Sequence, residues 1–280
     1  MKHALIPGFL LLASACSGVP FAAAAPAQEA PARTGLTYPD LVGLAESSPI
    51  VIEVQPTRAI ALEPERAPGV APGMVRLYVE ADTVRLLGSR APIGAQVKYL
   101  VDLPRDAKGK PPRLEKTSQL LFARPVPQRP GELQLVAPDA QFPAADPMLV
   151  PAVIAVLQEL ASENAPPGIT GVRESIHVPG NLAGEGETQI FLEAGGAPAA
   201  ITVRRRPGQP TRWGVSFNEL VADVNNPPRR DTLAWYRLAC ALPASLPRGA
   251  DLSGNREASQ KAAEDYRFVI DELGPCNRTR

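Results

Sequence analysis

The sequence predicts an α+β protein: a closed antiparallel β-barrel with a flanking helix, then a smaller antiparallel sheet ending in a disulfide-stapled helical hairpin. Three observations carry this expectation. Short runs of alternating apolar and polar residues follow one another from Ile50 to Val136, separated by loops rich in Pro and Gly. Stretches with helical periodicity flank these runs at residues 39–46 and 148–162 and return beyond Asp231. Two cysteines, Cys240 and Cys276, bracket the last helical stretch.

Composition bounds the rest. The chain has 280 residues, 45% apolar and 21% charged, close to folded averages. Its 32 prolines lack an N–H donor and must sit in loops, strand edges and first helical turns, so long helices are not expected. The formal charge is zero with acidic and basic residues interleaved, which offers a polyanion no stripe and makes nucleic acid an unexpected partner. Arg204-Arg205-Arg206 and Arg229-Arg230 read as solvated ends of elements.

Residues 1–25 form a secretory signal: Lys2 and His3, an apolar run from Ala4 to Ala15, then the small residues Ala22 to Ala25. The apolar run is too short for a permanent span and no later segment supplies about twenty apolar residues, so no transmembrane segment is expected. Cleavage fits after Ala24 or Ala27. A competing feature is Ala13-Ser14-Ala15-Cys16, which resembles a bacterial lipoprotein signal with Ala13 where that pattern prefers Leu. The resemblance implies lipidation of Cys16 and attachment to the envelope membrane through it. Without lipidation the protein is expected to be periplasmic or secreted. Residues 26–36 read as a flexible tether.

Beyond the signal an even pair of cysteines remains, and in an oxidising compartment Cys240 and Cys276 are expected to bond. Asp231 is positioned to cap a helix from Leu233 to Cys240. A second helix runs from Asn255 to Leu273, with Ala258, Ala262, Tyr266, Val269 and Leu273 on one face and Gly274-Pro275 as its stop. Neither a Cys-x-x-Cys spacing nor a neighbouring histidine marks the pair as redox-active.

The barrel domain is expected at residues 37–163. Thr37 caps a helix from Pro39 to Glu46, and Ile50 to Val54 begins a strand interrupted near Pro56. Val75 to Leu87 alternates cleanly, with Val75, Leu77, Val79 and Ala81 inward and Arg76, Tyr78, Glu80 and Asp82 on a wet face. Strands follow at 96–103, 119–123 and 132–136. Helix 148–162 carries Val150, Val153, Ile154, Leu157 and Leu160 on one side. A second unit is expected at 169–280, with strands at 169–178, 188–193, 199–205 and 212–217 and a helical turn at 219–224.

In its order of elements, from Ser48-Pro49-Ile50-Val51-Ile52 through the Arg76–Leu87 strand and the Gly94–Leu103 strand to Leu120-Leu121-Phe122-Ala123, the first half resembles the OB-like barrels of netrin and metalloproteinase-inhibitor modules. The resemblance covers under half the chain and implies the OB-like fold. It does not extend to inhibition, because no cysteine lies between Thr34 and Glu163. As a whole the chain is similar to a group of exported alphaproteobacterial proteins, through Leu120 to Pro125, His177 to Leu182 and Asp231 to Cys240. That similarity implies export and leaves the function to be read from the residues.

Few chemistries are available. His177 is the one histidine beyond the signal, so a site needing two histidines cannot form within one chain. No metal or other cofactor is expected, and no catalytic residue is assigned. The loop Gly180-Asn181-Leu182-Ala183-Gly184-Glu185-Gly186-Glu187 sets three glycines beside two carboxylates, Asn181 and His177, without the ligand order of a calcium loop or the Lys of a phosphate loop. His177, Asn181, Glu185 and Glu187 are therefore the candidate contacts for a ligand or partner. Two readings follow. One is a non-catalytic binding or structural protein of the periplasm or cell envelope, contacting an envelope protein or a small ligand through the barrel face or the 180–187 loop. The other is a secreted hydrolase using His177, with Ser175 on the same strand face and Glu185, Glu187 or Asp231 to orient it, or a carboxylate pair.

Overall fold

Thr37 caps the first helix. In the computed structural model, which describes residues 35–219 and 222–280, its hydroxyl accepts from the Asp40 N–H while the Asp40 carboxylate accepts from the Thr37 N–H at 2.8 Å. This reciprocal cap starts α1 (Tyr38–Ser47), with Pro39 in its first turn as expected. The expected export signal, Cys16 and most of the expected tether lie outside the described residues.

Five strands close the barrel: β1 (Ile50–Ala61), β2 (Met74–Ser89), β3 (Gln96–Pro104), β4 (Gln119–Pro125) and β5 (Glu132–Leu135). Their order is β1-β2-β3-β5-β4, with β4 pairing back onto β1 from Ile50↔Ala123 to Val54↔Gln119. This is the OB-like closed sheet, and closure removes the free edges. The barrel is mixed rather than wholly antiparallel, because β5 runs parallel to β3 over Lys98–Leu100. Strand β1 is continuous where Pro56 was expected to interrupt it. A bulge between Pro56 and Arg58 absorbs the missing donor. A short strand, β6 (Gln141–Pro143), adds to β4.

The interior alternation is as the sequence implies: Val75, Leu77, Val79 and Ala81 are buried beneath Arg76, Tyr78 and Glu80. Helix α2 (Leu149–Ala161) buries Leu149, Val150, Val153 and Val156, while Ile154, Leu157 and Leu160 are half-buried, so the packed stripe is turned from the expected one. Glu159 of α2 accepts from the Tyr38 hydroxyl of α1 at 3.0 Å and from the Leu233 N–H at 2.8 Å, joining three helices at one carboxylate.

The second sheet is antiparallel, ordered β10-β9-β8-β7, from β7 (Gly171–Pro179), β8 (Gly186–Glu193), β9 (Ala200–Arg205) and β10 (Arg212–Ser216). No helix forms in the described part of 219–224. That stretch instead folds against β10 so closely that a Cβ on Gly214 would meet the Asp223 carbonyl oxygen.

Helix α3 (Leu233–Ala239) is capped by Thr232, not by Asp231. The Thr232 hydroxyl accepts from the Trp235 N–H at 3.3 Å, and Asp231 takes a left-handed turn conformation at φ 56°. Helix α4 (Arg256–Leu273) is capped by Asn255 and stopped at Gly274, as expected. Cys240 and Cys276 are bonded, which suits an oxidising compartment. No helix among the described residues is long and apolar enough to cross a membrane.

The residues after the disulfide fasten the last residues of the sequence to α1. Asp40, almost fully buried, accepts from the Thr279 N–H at 3.0 Å, the Thr279 hydroxyl at 2.7 Å and the Arg280 N–H at 3.3 Å. Burial by itself would raise the Asp40 carboxyl, but the hydrogen bonds from Thr279 and Thr37 outweigh it and hold the group below the ordinary carboxylate value. A depressed folded-state pKa stabilises the fold above the unfolded value of about 4, and that contribution disappears as pH falls through the folded value. Urea unfolding between neutral pH and about pH 3 is therefore expected to lose a component that Asp40→Asn lacks. Identical pH profiles for the two proteins would contradict this assignment.

Candidate functional site

Two concave surfaces gather the side chains able to do chemistry, and the first contains the histidine. His177 of β7 faces inward opposite Thr188 of β8, and Arg205 of β9 stands opposite Gly186 on the same strand. Helix α4 lies over this face and delivers Asp265, which has no exposed surface. Its position, between Ala262 and Val269 on the helix, places it on the apolar side. Its two oxygens are used separately: Oδ1 accepts from Arg205 Nε at 2.5 Å, and Oδ2 accepts from the Thr188 hydroxyl.

The Thr188 oxygen lies 2.8 Å from His177 Nδ1, and that nitrogen is 3.7 Å from Asp265. A hydroxyl has one hydrogen, and Thr188 gives it to Asp265, so the bond to His177 requires the ring to donate. In the neutral form of the ring this hydrogen is the one on Nδ1, which makes Nε2 the acceptor. Nε2 meets no hydrogen-bond donor among the described residues. A pocket of about 420 Å³ opens beside the ring, lined by His177, Glu185, Gly186, Arg205, Glu257 and Lys261.

The loop residues divide. Glu185 Oε2 accepts from the backbone N–H groups of Asn181 and Leu182 at 3.2 and 3.3 Å, locking the loop while its side chain forms one wall of the pocket. Gly180 is needed for that lock, since a Cβ there would sit 2.4 Å from Glu185 Cγ. Glu187 instead points to the other side of the sheet, where it pairs with Arg204 at 2.7 Å and accepts from Gln189. Asn181 is exposed and does not line the pocket. Thus His177 and Glu185 come together, and Asn181 and Glu187 stay outside.

Ser175 and His177 do not form a nucleophilic pair. Ser175 Oγ is buried without a partner, and His177 directs Nδ1 to Thr188. No cluster of three or more His, Cys, Asp or Glu suited to a metal occurs among the described residues. The chain matches no known protein family and no curated protein. What the sites can bind is therefore read from their own chemistry.

The second surface is a groove of about 950 Å³ on the outer face of the barrel, across β2, β3 and β5. Its floor is apolar at Ile60, Tyr78 and Leu100; Ile60 and Leu100 leave 37% and 45% of their surface in water, unusual for large apolar residues on a sheet. Arg76 is held by two 2.7 Å hydrogen bonds to Asp102, and this bonding keeps its guanidinium charged. Arg66 and Arg124 line the groove without any ion pair among the described residues. The faces of strands 2 and 3 are where OB-like barrels receive ligands.

The sequence reading names Arg76 and Tyr78 only as the wet side of the barrel, takes Arg205 for a solvated strand end where the structure pairs it with buried Asp265, and gives Thr188 and Asp265 no role. The signal for Asp265 was present: it is a carboxylate on the apolar face of an otherwise clean amphipathic pattern, and such a residue needs a buried partner. The groove gave no such signal, because Arg76, Tyr78, Lys98 and Leu100 read simply as the wet side of a half-buried strand pair.

Proposed function

We propose that this chain is an exported, non-catalytic binding protein of the periplasm or cell envelope, and that it takes an elongated apolar ligand with an anionic end on the outer face of its barrel. The observation that carries the reading is the groove, in which exposed Ile60 and Leu100 lie with Arg66 and Arg124, two arginines that have no carboxylate partner among the described residues. Covering the exposed part of Leu100 with an alkyl chain is worth about 1 kcal/mol. A charge-assisted bond from Arg124 adds about 1.5 to 3 kcal/mol before the cost of ordering the ligand. The secretory signal and the disulfide support the location; lipidation at Cys16 would tether the same module to the membrane.

Isothermal titration with decanoate, kept below its micellar range, tests this. Saturable binding is expected, weakened at least about ten-fold by Leu100→Glu and by Arg124→Glu, two exposed positions whose substitution should leave the melting temperature nearly unchanged. Absence of saturable binding, or binding indifferent to both substitutions, would sink the proposal.

A further inference from the structure

The His177 pocket is built as a site in its own right, on residues independent of the barrel groove. Two of its walls, the His177 imidazole and the Arg205 guanidinium, are fixed by one buried carboxylate: Asp265 holds Arg205 directly and His177 through Thr188. Burying a carboxylate completely is costly, and an apolar side chain would fill the same space between α4 and the sheet without that cost. What the arrangement produces is a guanidinium and a bare imidazole nitrogen held in fixed orientation.

Gly186 lets the imidazole lie directly against β8. It lies on β8 opposite Pro179 on one side and Arg205 on the other, and a Cβ at that position would sit 2.6 Å from His177 Cε1 and 2.7 Å from Nε2. The strand thus carries no side chain where it passes the ring, and the pocket of about 420 Å³ begins there. Arg205 commits Nε to Asp265 and Nη1 to Thr211 at 3.1 Å, leaving Nη2 for a ligand. At the rim Lys261 is paired with Glu264 at 2.7 Å, and the carboxylates of Glu185 and Glu257 also line the pocket.

An acceptor beside a cation selects a small molecule with the reverse pattern. We propose that this pocket binds a small 2-hydroxycarboxylate, its carboxylate on Arg205 and its hydroxyl donating to His177 Nε2. A carboxylate alone would leave Nε2 without a donor, and an uncharged alcohol would leave the guanidinium unused.

The test is nitrogen-15 NMR of the full chain labelled at histidine, with His177→Asn to distinguish the His177 signals from those of His3. The free protein should show Nδ1 protonated and Nε2 bare. Lactate should move the Nε2 resonance saturably. Propionate, which lacks the hydroxyl, and methyl lactate, which lacks the charge, should each act at least about ten-fold more weakly. Gly186→Ala should abolish the response; should that variant fail to fold, the three-ligand comparison on the unaltered chain decides by itself. A ring protonated at Nε2 in the free protein, no response to lactate, or equal responses to lactate and propionate would each overturn the proposal.

Discussion

Replacing Asp265 with Ala is expected to lower the free energy of unfolding by about 3 kcal/mol, among the largest effects of any single substitution in this chain. The carboxylate is completely buried, and removing it strands Arg205 Nε and the Thr188 hydroxyl beneath α4. Loss of one partner from a buried ion pair costs about 3 to 5 kcal/mol, and the lower end applies because Arg205 keeps 29% of its side chain in water. Urea unfolding at neutral pH measures it. A second readout separates support of the pocket from support of the core: in Asp265→Ala the Thr188 hydroxyl no longer has a carboxylate to donate to, can turn to His177, and the ring should lose its fixed tautomer. A loss below about 1 kcal/mol would mean that water or a neighbouring group replaces the carboxylate.

Breaking the Cys240–Cys276 bond should cost about 3 to 4 kcal/mol, from the entropy the unfolded chain regains when a closed loop with a sequence separation of 36 opens. The consequence reaches farther than the hairpin. Cys276 immediately precedes the residues that clasp α1, α3 and the barrel: Thr279 and Arg280 donate to Asp40, Arg278 donates to the Tyr236 hydroxyl and Arg280 pairs with Asp139. With the anchor gone those bonds must hold the tail by themselves. Cys240→Ser combined with Cys276→Ser should therefore lower the urea midpoint and also deprotect the N–H of Thr279 to hydrogen exchange at native conditions. A changed midpoint with Thr279 still protected would show that the clasp is independent of the bond.

Much of this architecture was legible in the sequence because the deciding interactions are local. The Thr37–Asp40 cap, the alternation of Val75 to Ala81 and the Asn255-to-Gly274 limits of α4 each rest on residues within a turn or two of one another. Where contacts distant in sequence decide, the expectation and the structure part. The parallel pairing of β3 with β5 depends on which edges remain when the sheet closes, and no local pattern encodes that. Residues 219–224 look helical in isolation, yet β10 is bare at Gly214 and the Asp223 backbone lies against it. Asp231 has the better capping side chain by type, but its left-handed backbone hands the role to Thr232.

The candidate sites divide in the same way. The glycines of the 180–187 loop marked a place where backbone and side chains approach closely, and His177 with Glu185 does line a pocket there. The outward turn of Glu187 follows from strand alternation once β8 begins at Gly186, two residues earlier than the apolar pattern suggests. Thr188, Arg205 and Asp265 come from three different elements, and only the folded sheet with α4 across it assembles them.

The most direct test of the binding reading is amide chemical-shift mapping of the protein titrated with decanoate. The account predicts that the perturbed amides form one patch on β2, β3 and β5, centred on Tyr78 and Leu100 and reaching Arg66 and Arg124. Shifts confined to the second sheet and α4, or scattered without a patch, would contradict it.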